Sequence, residues 1–392
     1  MKRKTYALLR KLKKPSCIVL GINTITGLSI VRCLGTKGVP VIAVDKSKFV
    51  LGAFSKFCSA VETCSSDEEL FSFLDEAGRI SKYKNLIICE SDTFLLFVDK
   101  YKEDLKRYFY LPAEFSLSEL MNKINMVRLA KGANLDVPFT FFSDEILTDK
   151  IKKDLPYPCF IKPNYTQTSQ KTKGEIIRNA QELDLTLRNE RFKNGYMIQE
   201  IIDGPETNLW LYMGYIDKKG ELKASFALYK IRQVPMSFGA ITSGVSRRNV
   251  ELEKLGRRFL EHIQYTGIFS VEFKKDIYDG KYKFIEINPR ICTPNELLVT
   301  CGINLPYLAY CDANNIEINP IFKWKENVQW LSIIHDFITC FKYYSKNNKR
   351  IFLEWLKLSV RAQSEAIFKF SDLPPFLFAV FYHFFRLVNK KQ

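Results

Sequence analysis

The sequence predicts an α/β domain built on a doubly wound parallel sheet, then a larger α+β region rich in antiparallel strands, then a helical C-terminal extension. Three observations predict this. Short apolar runs alternate with helix-period segments over residues 15–118, as βαβ units require. From 119 to 320 strands crowd together between turns and charged helices. Beyond 320 the chain turns aromatic and basic, with three of its four tryptophans at Trp324, Trp330 and Trp355. A chain of 392 residues with 46% hydrophobic and 26% charged residues has room for two or three ordinary globular domains.

Taken in order, residues 1–14 form a basic tail. Cys17-Ile18-Val19-Leu20 before Gly21 reads as a short buried strand, and Leu28, Val31 and Leu34 mark a helix over Thr26–Leu34. Val39–Val44 is a second strand, ending on Asp45. Leu86–Cys89 is a third, running into Glu90, Ser91 and Asp92 where a new helix begins. Asp45 lies where a ribose-binding acid would sit in a dinucleotide fold, but the turn Gly21–Gly27 lacks the G-x-G-x-x-G spacing, so a structural strand-turn-helix is favoured.

An amphipathic helix runs from Ser118 to Asn134, and an apolar strand, Cys159–Pro163, carries Lys162 near its end. Further strands are expected at Gly195–Ile202, Asn208–Ile216, Ala224–Ile231, Gly267–Lys274 and Tyr282–Ile287. The expected boundaries are therefore 1–14, 15–118, 119–320 (with a division near 195/196) and 321–392.

Charge and cysteine usage exclude several classes. The net charge of +16 suggests nucleic acid, yet seven of those charges lie in residues 1–14 and seven more in 323–392, leaving only two for the body between them. No nucleic-acid partner is expected. The ten cysteines show no Cys-x-x-Cys pair and no secretory signal, which suits reduced thiols in a cytoplasm. With His262, His335 and His383 the chain's three histidines, any metal is expected to be hard and oxygen-bound.

Three features carry chemistry. Lys162 ends an apolar strand, where its stem can be buried and its ammonium held toward an anion, although a surface lysine is the commoner fate. Met197–Glu206 is an apolar strand running through Asp203-Gly204-Pro205 into Glu206; its backbone can meet a flat base and Glu206 a sugar, or it is a plain strand and turn. The most informative is Phe269-Ser270-Val271-Glu272-Phe273 together with Lys283–Arg290. In a strand, residues two apart share a face, so Glu286 and Asn288 project together. With Glu272 they make an oxygen site for a hard cation, and acids in apolar strands are costly unless paired or metal-bound.

The order Lys123, Lys162, Gln199–Glu206, Val271-Glu272-Phe273 and Glu286-Ile287-Asn288-Pro289-Arg290 resembles the ATP-grasp superfamily, particularly its carboxylate–amine ligase branch. The resemblance spans about residues 16–315, with Glu-x-Asn-Pro-Arg its most specific part. It implies a Rossmann-like pre-ATP-grasp domain followed by an ATP-grasp fold of two α+β subdomains enclosing ATP. It also implies roles. Lys123 and Lys162 contact phosphates; Gln199, Glu200, Ile201 and Ile202 meet adenine; Glu206 holds ribose. Glu272, Glu286 and Asn288 bind one or two Mg²⁺ ions, with Mn²⁺ as a substitute. Arg290 steadies the transferred phosphoryl group, and Arg232 stands near the substrate. The family's glycine-rich phosphate loop is replaced here by Asn164–Gly174, with one glycine at its end.

The activity implied is amide formation between small-molecule carboxylate and amine substrates through an acyl phosphate, in cell-envelope or surface-polysaccharide synthesis. A nucleotide-binding scaffold or sensor without turnover is the alternative from another class. Leu373–Phe385 is apolar for about thirteen residues, short of the ~20 that span a bilayer, and basic residues follow it. With the basic N-terminus it suggests a cytoplasmic enzyme held peripherally at the inner leaflet near a lipid-linked substrate; packing on the enzyme body or a homodimer contact is the competing reading.

Overall fold

The computed structural model describes residues 2–112, 117–164, 174–235, 239–345 and 350–389. The first sheet is parallel, in the order β3-β2-β1-β4-β5, from β1 (Cys17–Leu20), β2 (Val41–Asp45), β3 (Ala60–Thr63), β4 (Asn85–Cys89) and β5 (Phe109–Tyr110). Every residue of β1, β2 and β4 is buried, which is why these strands read as continuous apolar runs rather than alternating ones.

The turn after β1 is closed by the chain itself. The Asp45 carboxylate accepts from the amides of Ile22 (2.7 Å) and Asn23 (3.1 Å), so the acid at the ribose-like position braces the loop. Thr24 caps the following helix, Ile25–Gly35, by accepting from the Gly27 amide. Gly27 is required there: a Cβ would stand 2.5 Å from the Gly21 carbonyl oxygen. The basic N-terminus is a helix, Lys2–Lys11, seated on helix Asp67–Ile80 by fully buried Leu9 and by Tyr6 stacked on Phe73.

A small antiparallel sheet follows, ordered β6-β9-β7-β8, from β6 (Thr140–Phe142), β7 (Cys159–Pro163), β8 (Glu175–Ile177) and β9 (Tyr196–Glu200). The largest sheet, ordered β14-β13-β10-β11-β12-β15-β16, comprises β10 (Leu209–Ile216), β11 (Leu222–Val234), β12 (Ala240–Ser246), β13 (Gly267–Lys275), β14 (Tyr282–Asn288), β15 (Gln329–Leu331) and β16 (Ser364–Glu365). Alternation along β10 divides its two faces. Tyr212 packs with Phe259 and Leu260 of helix Val250–His262, whereas Leu211, Met213 and Tyr215 join a core shared with Leu28, Val31 and Leu34 of the first domain.

The C-terminal extension is part of this body. β15 pairs with β12 and β16 with β15, and Trp330 is fully buried. Two arginines of the body, Arg32 and Arg232, are buried against two acids of the extension, Asp372 and Asp336. Helix Pro374–Asn389 lays Phe378 on Phe54, ring centroids 4.3 Å apart. Among the described residues no helix is long and apolar enough to cross a membrane. None of the ten cysteines forms a disulfide.

Candidate active site

The small sheet supplies one wall of a cleft of about 300 Å³. Along β7, Cys159 and Ile161 enter the core while Phe160 and Lys162 face the cleft, the period-two pattern that placed a lysine at the end of an apolar strand. Lys162 Nζ lies over the Phe160 ring and donates to Gln199 Oε1 at 3.0 Å. Gln199, on the neighbouring β9, is 3% exposed, and its amide nitrogen donates to Thr140 Oγ1. A fully buried side-chain amide that accepts from a lysine holds that ammonium in one place.

Lys123 reaches the same cleft as the first residue of helix Lys123–Gly132, whose end is fixed by Asn122 accepting from the Ile124 and Asn125 amides. Its Nζ donates to the Pro163 carbonyl, one residue from Lys162. Glu200, the last residue of β9, and Ile201 and Ile202 just past it line the cleft. The Glu200 carboxylate accepts from the Phe139 amide at 3.0 Å. The loop expected to cover phosphates, 165–173, lies outside the described residues.

The large sheet supplies the opposite wall. Glu272 on β13 and Glu286 on β14 are direct cross-strand partners, as are Ser270 and Asn288. A bulge stands between the pairs Glu272/Glu286 and Phe273/Phe284, leaving Ile285 as the extra residue. It lets Phe284 and Ile287, three residues apart, both enter the core while Ile285 and Glu286 both face the cleft.

Two carboxylates opposed across a ladder repel unless a cation neutralises them. Lys230 Nζ meets Glu272 at 2.8 Å, and the Asn288 amide donates to Glu286 Oε1 at 3.0 Å. Among the described residues no group of three or more His, Cys, Asp or Glu side chains has metal-binding geometry. Two carboxylates and an amide oxygen, with the rest of the shell left to phosphate and water, are nonetheless the donor set that Mg²⁺ takes at nucleotide sites. The residues present fit such an ion.

Arg290 continues the chain of contacts, donating to Asn288 Oδ1 (3.2 Å) and to Asp92 Oδ1 (2.5 Å). Its burial opposes the charged form, but Asp92 outweighs that and holds the guanidinium firmly protonated. Arg290 lines a second, larger cavity of about 590 Å³ between the parallel sheet and the ends of β10 and β13. Nearby Glu90 is pushed up by burial, with the Thr24 hydroxyl and Arg290 opposing the shift and Asp45 and Asp92 adding to it.

Four expected residues stand apart from the cleft lining: Arg290 lines the larger cavity, Asn288 lines neither, and Glu206 and Arg232 are held elsewhere. Glu206, in a short turn before β10, accepts from the Tyr344 hydroxyl at 3.2 Å. Arg232 is buried with its guanidinium spanning Asp336, at 2.6 Å for the shortest contact, and the next residue, Gln233, lines the cleft instead. Sequence reasoning also passed over Lys274 and Lys230. Lys274 lines the cleft two residues after Glu272, so strand alternation alone points to it. Burial pushes it below the usual lysine range, while Glu206, Asp203 and Glu272 oppose that. Lys230 carries no local signal, because its partner is forty-two residues away.

A small antiparallel sheet facing a large one across a lysine-and-carboxylate cleft, with a parallel α/β domain before it, is the arrangement of the ATP-grasp fold. Among solved structures the chain is similar to N5-carboxyaminoimidazole synthetase from Staphylococcus aureus complexed with ADP (TM-score 0.64, 14% identity, 81% of this chain and 82% of that one). It is also similar to L-amino acid ligase from Bacillus licheniformis (TM-score 0.58, 16% identity, 79% of each chain). By sequence it is similar to the D-aspartate ligase of Enterococcus faecium (strain Aus0004), 26% identical over 239 residues, a match spanning 57% of each chain. No protein-family profile matches the chain.

Proposed function

We propose that this chain is an ATP-dependent carboxylate–amine ligase that forms an amide bond with release of ADP and phosphate. The observation that carries the reading is the cross-strand pair Glu272/Glu286 facing Lys123 and Lys162 across one cleft. Phosphoryl transfer needs cations at the phosphates and oxygen donors for a divalent ion, placed beforehand rather than gathered during reaction. D-aspartate ligase and L-amino acid ligase, to which the chain is similar, are named for this type of chemistry.

In this scheme Lys123 and Lys162 hold the phosphates, while Gln199 to Ile202 receive the adenine and Glu206 the ribose. Glu272, Glu286 and Asn288 would hold Mg²⁺, which when bound offsets charge on the phosphate oxygens. A substrate carboxylate oxygen attacks the γ-phosphorus as the bond to the β–γ bridging oxygen breaks, and ADP leaves. The amine nitrogen then attacks the acyl carbon, the acyl–oxygen bond breaks with its electron pair going to phosphate, and the proton lost from nitrogen passes to the departing phosphate or to water. Arg290, kept cationic by Asp92, is in this reading the cation that steadies the transferred group. No protein nucleophile is required.

Small carboxylate and amine substrates of the cell envelope are the class we assign, with the basic N-terminal helix and helix Pro374–Asn389 as peripheral contacts to the inner leaflet. The test is ADP release with Mg²⁺ across a panel of amino acids and amino sugars. A signal that falls below about a thousandth in Glu286→Ala is expected. Nucleotide binding without turnover on any pair would replace the ligase with a binding module, and retained turnover in Glu286→Ala would remove the metal assignment.

A further inference from the structure

The extension carries an apolar surface that the fold does not use. Helix Ile351–Arg361 turns Ile351 and Leu358 into the protein, seven residues apart on one face. Its opposite face carries Phe352, Leu353, Leu356 and Val360, exposed by 45–80% and gathered within about 100° of arc at helical spacing. A helix apolar on both faces sits between two apolar media. Beside it, helix Ile333–Thr339 and the π-turn Cys340–Tyr344 that continues it bury Asp336, Thr339 and Cys340 and expose Phe337, Ile338 and Phe341.

The two elements form one surface. Phe337 packs on Phe341 (4.5 Å between centroids) and edge-on to Trp355 (5.0 Å), and Phe352 joins both Phe341 and Trp355. Lys342, Arg350, Lys357 and Arg361 are exposed around it, against the exposed acid Glu354. Contiguous apolar surface of this kind on a soluble body marks a docking site.

We propose that this outer face of residues 333–361 docks the protein on an anionic bilayer surface, the aromatic ridge entering the interface and the surrounding cations meeting the headgroups. Charge selects this occupant over a second copy of the chain. A two-fold contact apposes a patch with itself, and would set these four cations against the same four. The surface is also tied to elements beside the cleft: Asp336 is bound by Arg232 of β11, whose next residue, Gln233, lines the cleft, and Tyr344 donates to Glu206 in the turn before β10. The inference deepens the membrane attachment assigned to the termini by moving it to a different surface, and it holds whether or not the ligase reaction is as proposed.

The test is co-sedimentation of the full-length protein with phosphatidylcholine vesicles containing increasing phosphatidylglycerol. Binding is expected to require the anionic lipid and to weaken at least tenfold between ~0.05 and ~0.5 M salt. The variant F337S/F341S/L353S/V360S should lose about 100-fold in partitioning while keeping its thermal melt, since the four side chains are 41–80% exposed. K342E/K357E/R361E, which leaves the ridge intact, should lose both affinity and salt dependence. Binding that survives the serine variant but vanishes in F381S/F385S on the last helix overturns this inference and leaves attachment through the termini standing. Absence of vesicle binding by the unmodified protein removes both. A monomer–dimer equilibrium abolished by the serine variant, without vesicle binding, assigns the ridge to a second copy instead.

Discussion

Replacing Asp336 should separate a structural arginine from a catalytic one. Asp336 is fully buried and takes three contacts from Arg232, two from Nε at 3.0 and 3.1 Å and one from a terminal nitrogen at 2.6 Å, with a fourth from the Thr242 hydroxyl at 2.7 Å. Asp336→Leu leaves the Arg232 guanidinium, 6% exposed, without its counter-charge; breaking a buried pair from one side costs about 3–5 kcal/mol. Arg232→Met with Asp336→Leu removes both charges, and what remains is the Thr242 hydroxyl, and the weaker Cys340 thiol donor, without their acceptor, about 1–2 kcal/mol. Urea melts followed by tryptophan fluorescence measure both, since Trp330 lies on the adjoining strand β15. The double variant should melt close to the unmodified protein, well above Asp336→Leu, and keep its ADP release. A double variant that is stable yet more than 100-fold slower would show that Arg232 serves the substrate and refute its assignment to the fold.

Four further outcomes are expected. Tyr344→Phe removes one hydrogen bond to Glu206 and should raise KM for ATP about two- to tenfold with kcat unchanged, read from initial rates. Burial lowers the Lys274 pKa, so its charge is lost as pH rises sooner than for an ordinary lysine. ATP affinity measured by calorimetry should therefore weaken on the alkaline side, and Lys274→Met should flatten that limb; an unchanged limb would remove Lys274 from the nucleotide site. Gln199→Leu removes the Gln199 oxygen that accepts from Lys162 and should weaken ADP binding about fivefold without lowering the melting temperature appreciably. Gly27→Ala should destabilise the first domain by about 1–3 kcal/mol, because its Cβ meets the Gly21 carbonyl at 2.5 Å.

Local pattern was legible where a residue's surroundings follow from its neighbours in sequence. The buried runs Cys17–Leu20 and Asn85–Cys89 announce a parallel sheet, and alternation along Cys159–Pro163 aims Lys162 out of the core. The pairing of Glu272 with Glu286 needed only two strands close in sequence. What stayed hidden depends on contacts across the chain. Arg232 and Asp336 are 104 residues apart, and nothing near Arg232 says that an acid will cover it. The bulge at Ile285 was hidden for another reason: an inserted residue shifts the face of everything beyond it, and periodicity assumes there is none.

The charge of the extension has the same origin. Residues 323–392 hold twelve basic and five acidic residues, which from sequence alone resembles a basic tail that solvent or a membrane surrounds. In the fold, Asp336 and Asp372 face inward at 0% and 1% exposure, meeting Arg232 on β11 and Arg32 on helix Ile25–Gly35. Asp372 also accepts from the Ser55 hydroxyl and the Lys56 amide. Such buried pairs add little net stability over apolar residues of the same size, so their effect here is positional: each acid is tolerated at one place on the body and costly elsewhere. Lys342, Lys357 and Arg361 are left outside. The inward acids fix where the extension sits, and that position turns its aromatic ridge and its cations the same way, outward. Asp372→Ala should therefore loosen the last helix, seen as faster hydrogen exchange over 374–389, while exchange over 351–361, registered by Asp336, stays as it was.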